Sequence, residues 1–122
     1  MNITLSSEEM AVLFTHMNLM KKSIKKGFKK TYKPCWEEKY NDYLSIIEVL
    51  EVMIKDEDSE NNDFFDVFLT DEQFTMLHSF INFYVVELND RENNKDKINH
   101  EVIKLMAILE GIQLKINILA AS

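Results

Sequence analysis

The hexapeptide "LSSEEM" at Leu5–Met10 returns sixty-four positions later as "LTDEQF" at Leu69–Phe74. In the first copy Ser6 precedes Glu9 by three residues, which is the spacing of a capping box. In that motif the serine hydroxyl accepts from the Glu9 N–H, and the glutamate carboxylate accepts from the Ser6 N–H. These two hydrogen bonds satisfy backbone N–H donors that the start of a helix otherwise leaves unpaired. The stretch therefore predicts that a helix begins at residue 6.

The second copy predicts a second helix start, because Thr70 and Gln73 repeat this spacing with equivalent side chains. An apolar pair of the kind that forms a hydrophobic staple flanks each cap: Leu5 with Met10, and Leu69 with Phe74. The residues that follow also correspond, including Asn18 and Asn82. Two matching signals indicate two helical units that are built alike.

Each cap opens a segment whose apolar residues recur at spacings of three and four, the period of an amphipathic helix. A further segment with this period follows each of them, and Pro34 suits the first turn of the earlier one. Gly27, behind two lysines, is predicted to end the first helix. The apolar stripes of the four predicted helices are Met10, Leu13, Met17, Met20 and Ile24; Tyr43, Ile47, Leu50 and Ile54; Phe74, Leu77, Ile81, Tyr84 and Leu88; and Ile98, Val102, Leu105, Leu109, Ile112, Ile116 and Leu119.

These segments predict an all-α fold, a four-helix bundle with up-down topology that is built from two tandem αα-hairpins as a pseudo-repeat. We expect one helical domain over 1–122, with hairpin one at about 6–55, an acidic linker at about 56–69 and hairpin two at about 70–120. Shorter linkers are predicted at 27–34 and 89–96. The chain has only two glycines and one proline, too few for the turns of a sheet protein.

The bulk composition limits the classes of function. A net charge of −7 repels nucleic acid and anionic membranes at long range. No run approaches the ~18 apolar residues of a membrane span, and charged residues interrupt the first apolar stretch, unlike a signal sequence.

Cys35 is the only cysteine, which is typical of the reducing cytoplasm. Eleven Asn, twelve Ile and one Arg indicate an AT-rich genome, so we expect a cytoplasmic protein encoded by a bacterium or phage.

Half of the positive charge lies at positions 21–33, in the sequence "KKSIKKGFKKTYK". On a helix these lysines cover the side opposite the apolar stripe. One interpretation is a basic face that binds phosphate or nucleic acid, with Lys22, Lys26 and Lys29 as its contacts. The other is a solvated surface whose cations suit a helix C-terminus. The acidic molecule and the lack of interleaved base-reading side chains favour the solvated surface.

Residues 55–72 carry eight carboxylates and no cation after Lys55. Four of the carboxylates could donate oxygen to a metal ion: Asp56, Asp58, Glu60 and Asp63. The segment lacks the central glycine and the twelfth-position glutamate of a calcium loop, so we expect no metal site. Three phenylalanines in the segment predict either rings that pack under the bundle end or a partner-docking segment: Phe64, Phe65 and Phe68.

The third predicted helix is apolar on two sides. Beside its core stripe, Met76, Phe80 and Phe83 form a second line at spacings of four and three. Such a line is either thick core packing or a surface that another molecule covers, and we favour an interface with a second copy or with another protein. In the last helix Gly111 shares a flank with Ala107, Leu114 and Ile118, which predicts close approach of another helix.

Catalysis receives little support from the sequence. His16, His78 and His100 fall on three different predicted helices, outside any metal-ligand motif. Cys35 has no assigned histidine partner. We therefore expect no enzyme activity, cofactor or metal. The sequence favours a non-enzymatic protein-binding module, a small regulator or inhibitor that occludes a larger protein. Homodimer formation is a further expectation, and a nucleic-acid-associated protein that uses the basic face at Lys21–Lys33 is the alternative.

Overall fold

The structure is a computed structural model, and it describes residues 1–56, 61–93 and 99–122. Its elements in chain order are the strand β1 (Asn2–Ser6), the helices α1 (Ser7–Leu19), α2 (Lys21–Thr31) and α3 (Trp36–Lys55), the strand β2 (Phe64–Phe68), and the helices α4 (Asp71–Asn93) and α5 (His100–Ala120). The chain is mostly helical, as the sequence predicted. It also contains a small two-stranded sheet that the sequence analysis did not predict.

Both helix starts predicted from the repeated hexapeptide are confirmed. The Ser6 Oγ accepts from the Glu9 N–H at 3.1 Å, and the Glu9 Oε1 accepts from the Ser6 N–H at 2.8 Å. The same reciprocal bonds join Thr70 and Gln73, at 3.1 and 2.9 Å. Because each box satisfies two donors of a first helical turn, α1 and α4 begin directly after these caps.

The prediction that Gly27 ends the first helix was wrong. The helix is interrupted at Met20 instead, with φ −90° and ψ −1°, and α2 then continues to Thr31. Gly27 has no positive φ, so it lacks the left-handed conformation through which glycine commonly ends a helix. The predicted linker at 27–34 is shorter than expected, because α2 occupies its first half.

The predicted acidic linker contains β2, which pairs antiparallel with β1. Ile3 lies opposite Val67, Leu5 lies opposite Phe65, and all four side chains are buried. Their neighbours along each strand point outward and are exposed or half-buried. This is the period-two pattern of a strand with one buried face. Helix α4 continues to Asn93, so the prediction that a linker begins at residue 89 was wrong. Residues 57–60 and 94–98 lie outside the described residues; they include the rest of that linker, part of the acidic linker, and Ile98 of the last apolar stripe.

The elements surround one buried apolar cluster, to which each of the seven contributes side chains. Helix α3 packs against α1, α2 and α4, helix α5 packs against α1 and α4, and the sheet lies against α1, α3 and α5. Within the described residues, the backbone of α2 comes close to α1 and α3 and does not approach that of α4. The described residues thus form five helices, where four were predicted, and a space separates α2 from α4. Among these residues no helix combines the length and the apolar character that crossing a membrane requires.

Candidate protein-binding groove

An open apolar groove lies between α2 and α4, with α3 as its floor. Its main section has a volume of about 280 Å³, and a section of about 150 Å³ continues it towards the start of α2. One end is lined by Thr31 and Met76, and the other by Met20 and Arg91, so the two helices run in opposite directions along it. The main lining residues are Ile24 and Phe28 of α2, Tyr43 of α3, and Met76, Phe80 and Phe83 of α4.

The groove stays open because α2 presents small side chains to it. Ser23, Gly27 and Thr31 line the groove, and their spacing of four places them in one row on the helix surface. A Cβ atom added at Gly27 would meet no neighbouring atom within 4 Å. Glycine inside a helix costs about 1 kcal/mol relative to alanine. Gly27 nevertheless lies at a position where a larger side chain would narrow the groove.

The second apolar line predicted on the third helix forms the α4 wall of this groove. Met76 and Phe80 are mostly covered, with 7% and 3% of their surface exposed, whereas Phe83 is 52% exposed. The covered pair belongs to the core as well as to the wall, since Phe80 packs edge-on against Tyr43 at a centroid distance of 5.5 Å. Phe83 is the member of the line that is available to another molecule.

The floor of the groove presents an aromatic ring without an unsatisfied polar atom. The Tyr43 hydroxyl donates to the Met17 carbonyl oxygen at 2.6 Å. Burial raises the pKa of Tyr43 well above its ordinary value, and the neighbouring Tyr40 and Tyr84 add to this effect. Tyr43 is itself fully buried, and its hydroxyl is neutral and already bonded, so it supports the floor of the groove without an unsatisfied polar atom.

The narrower section of the groove ends near a polar pair between α1 and α4. The Nδ1 atom of His16 is hydrogen-bonded to the hydroxyl of Tyr84, and Tyr84 lines this section. Burial lowers the pKa of His16 and raises the pKa of Tyr84. Both side chains are therefore uncharged at neutral pH, and the pair adds no charge to the groove.

The three phenylalanines predicted to contact a partner lie on β2, away from the groove. Phe65 points into the core and is 8% exposed, whereas Phe64 and Phe68 are 65% and 71% exposed on the outer face of the sheet. Between them, Asp66 accepts a hydrogen bond from the Thr4 hydroxyl at 2.7 Å. The sheet therefore offers two separated rings on a partly polar surface.

The structure divides the predicted basic face between two surroundings. Lys22 and Lys26 are exposed on the outer side of α2. Lys29 lies over the ring of Trp36 at 4.9 Å, and Lys25 approaches the same ring at 5.9 Å. Trp36 belongs to the next helix, which is why the sequence of α2 alone showed no interleaved aromatic residue. These cation–π contacts help to hold α2 on α3.

Other candidate groups are dispersed. The described residues contain no group of three or more His, Cys, Asp or Glu side chains that could hold a metal ion. Of the predicted carboxylates, Asp58 and Glu60 lie outside the described residues. Cys35 is exposed at the start of α3, and the three histidines remain on α1, α4 and α5.

Gly111 of α5 faces α1, where the sequence predicted a close helix approach. A Cβ atom added there would lie 3.7 Å from the Glu9 carboxylate. Lys115 donates to the same carboxylate at 2.6 Å and to the Thr4 carbonyl oxygen at 3.1 Å, so it ties α5 to both α1 and β1. The outer side of α5 exposes further apolar side chains: Ile103, Leu114 and Ile118.

Sequence reasoning missed the α2 and α3 sides of the groove. The row of Ser23, Gly27 and Thr31 was visible as small residues at a spacing of four within a lysine-rich segment. Tyr43 was assigned to the core stripe, which is correct because it is fully buried, but its place beneath a groove depends on the distance between α2 and α4. That distance is a property of the tertiary packing and leaves no local signal in the sequence.

Comparisons with protein-family models, with curated proteins and with solved structures found no match to this chain.

Proposed function

We propose that the chain is a non-enzymatic protein-binding module that acts in the cytoplasm as a small regulator or inhibitor and occludes part of a larger protein. The observation that carries the proposal is the open apolar groove between α2 and α4, with Phe83 exposed at its edge. Amphipathic helices of partner proteins commonly bind in grooves of this kind. A bacterial or phage origin fits the composition.

The size of the groove supports a helical segment as its occupant. Helix α2 has eleven residues, and at ~1.5 Å per residue a groove along it is about 16 Å long, or three helical turns. Its floor and walls are mostly apolar and aromatic. Covering the exposed part of Phe83 would contribute favourably at roughly 25 cal/mol per Å² of apolar surface.

An affinity experiment with matched variants tests the proposal. The tagged protein is used to capture binding proteins from an extract of its host, and these are identified by mass spectrometry. We expect Phe83→Asp to abolish capture of a specific protein. Phe68→Asp removes a comparably exposed ring on the sheet, and we expect it to leave capture unchanged. Circular dichroism melting of both variants is the control that they fold.

The opposite pattern would move the site to the sheet. Loss of the partner with Phe68→Asp and not with Phe83→Asp would assign binding to the outer face of β2, and capture that neither variant affects would contradict both predicted surfaces. A protein identified in this way must also bind directly after purification.

Nucleic-acid binding by the basic face is the second candidate. The specific observation in its favour is Trp36, which lies beside Lys25 and Lys29 and supplies the aromatic partner that the sequence of α2 lacks. This candidate requires retention of DNA or RNA at low salt, and loss of that retention when Lys22, Lys26 and Lys29 are replaced by glutamate. Lys25 and Lys29 already lie over the ring of Trp36, however, which disfavours base stacking there.

We also propose that the two halves of the chain are equivalent hairpins, as in a duplicated four-helix bundle. Three correspondences at a shift of sixty-four support this. Both helix starts carry capping boxes. Asn18 and Asn82 each donate to the carbonyl four residues earlier, at 3.2 and 2.8 Å. Ile3 pairs with Val67, its own counterpart, as a two-fold relation between the halves requires.

A further inference from the structure

We infer that the occupant of the groove is an acidic amphipathic helix, whose apolar stripe packs on Phe83 at the edge of the groove and whose carboxylates face a row of lysines on α2. This inference rests on the proposed function, because it names the partner of the same groove. It adds the charge pattern and the orientation of the segment that binds.

The lysine row follows from the geometry of α2. Ser23, Gly27 and Thr31 line the groove, and the residue before each of them is a lysine. One position on a helix is a rotation of about 100°. Because the neighbouring row on the other side is Ile24 and Phe28, which face the core, the lysines lie on the solvent edge of the groove. They are Lys22, Lys26 and Lys30, and all three are exposed.

In the main section of the groove the opposite wall has no charged residue. Helix α4 carries no Asp, Glu, Lys or Arg between Gln73 and Val86, the stretch that contains the wall residues from Met76 to Phe83. Along the main section the two edges therefore differ: the α2 edge is cationic, and the α4 edge is neutral and apolar. In the narrower section α4 presents one acid and one base, Glu87 and Arg91. A helix with carboxylates along only one flank matches this difference, and the flank must face α2.

The lysine row is a local exception on an acidic molecule. The net charge is −7, with 21 acidic residues and 14 Lys and Arg, yet α2 contains six lysines and no carboxylate. Lys25 and Lys29 turn towards Trp36, which leaves the groove-side row available to a partner. Repulsion from the rest of the surface would direct an acidic segment to this edge, and salt would screen both effects.

Synthetic peptides test the inference directly. The first is an amphipathic helix of about five turns, with leucines at spacings of three and four and glutamates four apart along one flank. The second has glutamine in place of each glutamate. Affinities for the full-length protein are measured by fluorescence anisotropy at about 20 and about 300 mM salt, which correspond to long and short screening lengths.

We expect the glutamate peptide to bind about tenfold more tightly than the glutamine peptide at low salt, as three partly exposed ion pairs allow. This advantage should disappear at high salt and in a variant with Lys22, Lys26 and Lys30 changed to glutamine. Phe83→Asp should weaken both peptides. In a charge-reversal control, the variant with these lysines changed to glutamate should prefer a peptide with lysines in place of the glutamates.

The failures of the inference and of the proposed function are distinguishable. Equal affinities for the two peptides, both sensitive to Phe83→Asp, would overturn the acidic partner and leave the groove as a binding site. Two other occupants would overturn the helical partner: a second copy, if sedimentation shows self-association that Phe83→Asp removes, or a small apolar ligand, if dodecanoate binds and neither peptide does. Peptide binding that Phe83→Asp does not change would contradict the groove itself.

Discussion

Gly27 is the residue whose role differs most from its sequence interpretation. Glycine inside a helix costs about 1 kcal/mol relative to alanine, and here a Cβ atom would meet no neighbour within 4 Å. We therefore expect Gly27→Ala to raise the free energy of unfolding by about 1 kcal/mol, measured by urea denaturation. The alanine methyl group is small, so partner binding should persist, whereas Gly27→Leu should fill the groove and block binding. A Gly27→Ala variant that is less stable than the parent would mean that α2 is packed more closely here.

Glu9 both completes a capping box and forms an ion pair, whereas its counterpart in the second hexapeptide completes the box only. Its counterpart Gln73 makes the same capping bond without a charge, so Glu9→Gln should keep the cap and lose the ion pair with Lys115. We expect a loss of about 1 kcal/mol at pH 7, since the pair is charge-assisted but partly exposed.

The pH dependence of this loss follows from the pKa of Glu9. Burial alone would raise that pKa, but the hydrogen bonds from Lys115 and Ser6 outweigh burial and hold it below its ordinary value of 4.5. The stabilisation is therefore fully present above the unfolded pKa, and it is lost as the pH falls through the folded pKa. The difference between parent and variant should vanish in acid, and a difference that persists there would contradict the ionic account.

At the scale of elements, α2 is the helix with the weakest local support. It has eleven residues, no side-chain cap at its start and six lysines, and isolated helices of this length are marginal in water. We expect its amide protons to exchange faster than those of α3 and to be protected by added salt, which screens repulsion among the lysines. Exchange as slow as in α3 would show that packing on Trp36 and Phe28 outweighs these deficits.

Some elements could be predicted from local signals in the sequence, and others could not. Each capping box, at Ser6 and at Thr70, spans only four residues, so both helix starts could be predicted from the local sequence. The strands were missed, because β1 has five residues and its partner begins almost sixty residues later. The break at Met20 was missed as well, since the apolar spacing of three and four continues through it.

At the scale of the whole molecule, the periodicity of α4 predicted the second apolar line but not its place in the fold. Met76, Phe80 and Phe83 were identified because they lie beside a core stripe that was already complete. Their arrangement along an open groove depends on the separation of α2 from α4, which α3 sets by packing on both. No local pattern encodes that separation. The residues of one wall could therefore be identified from the sequence, whereas the groove itself could be recognised only in the structure.

The most direct measurement is the change in backbone amide NMR shifts as the glutamate peptide is added to the full-length protein. We expect the shifts to concentrate in α2 around Gly27 and in α4 around Phe83, with little change in β2 or along the outer side of α5. Shifts that concentrate at Phe64–Phe68, or a spectrum unchanged at millimolar peptide, would contradict the claim that the groove between α2 and α4 is where this protein binds its partner.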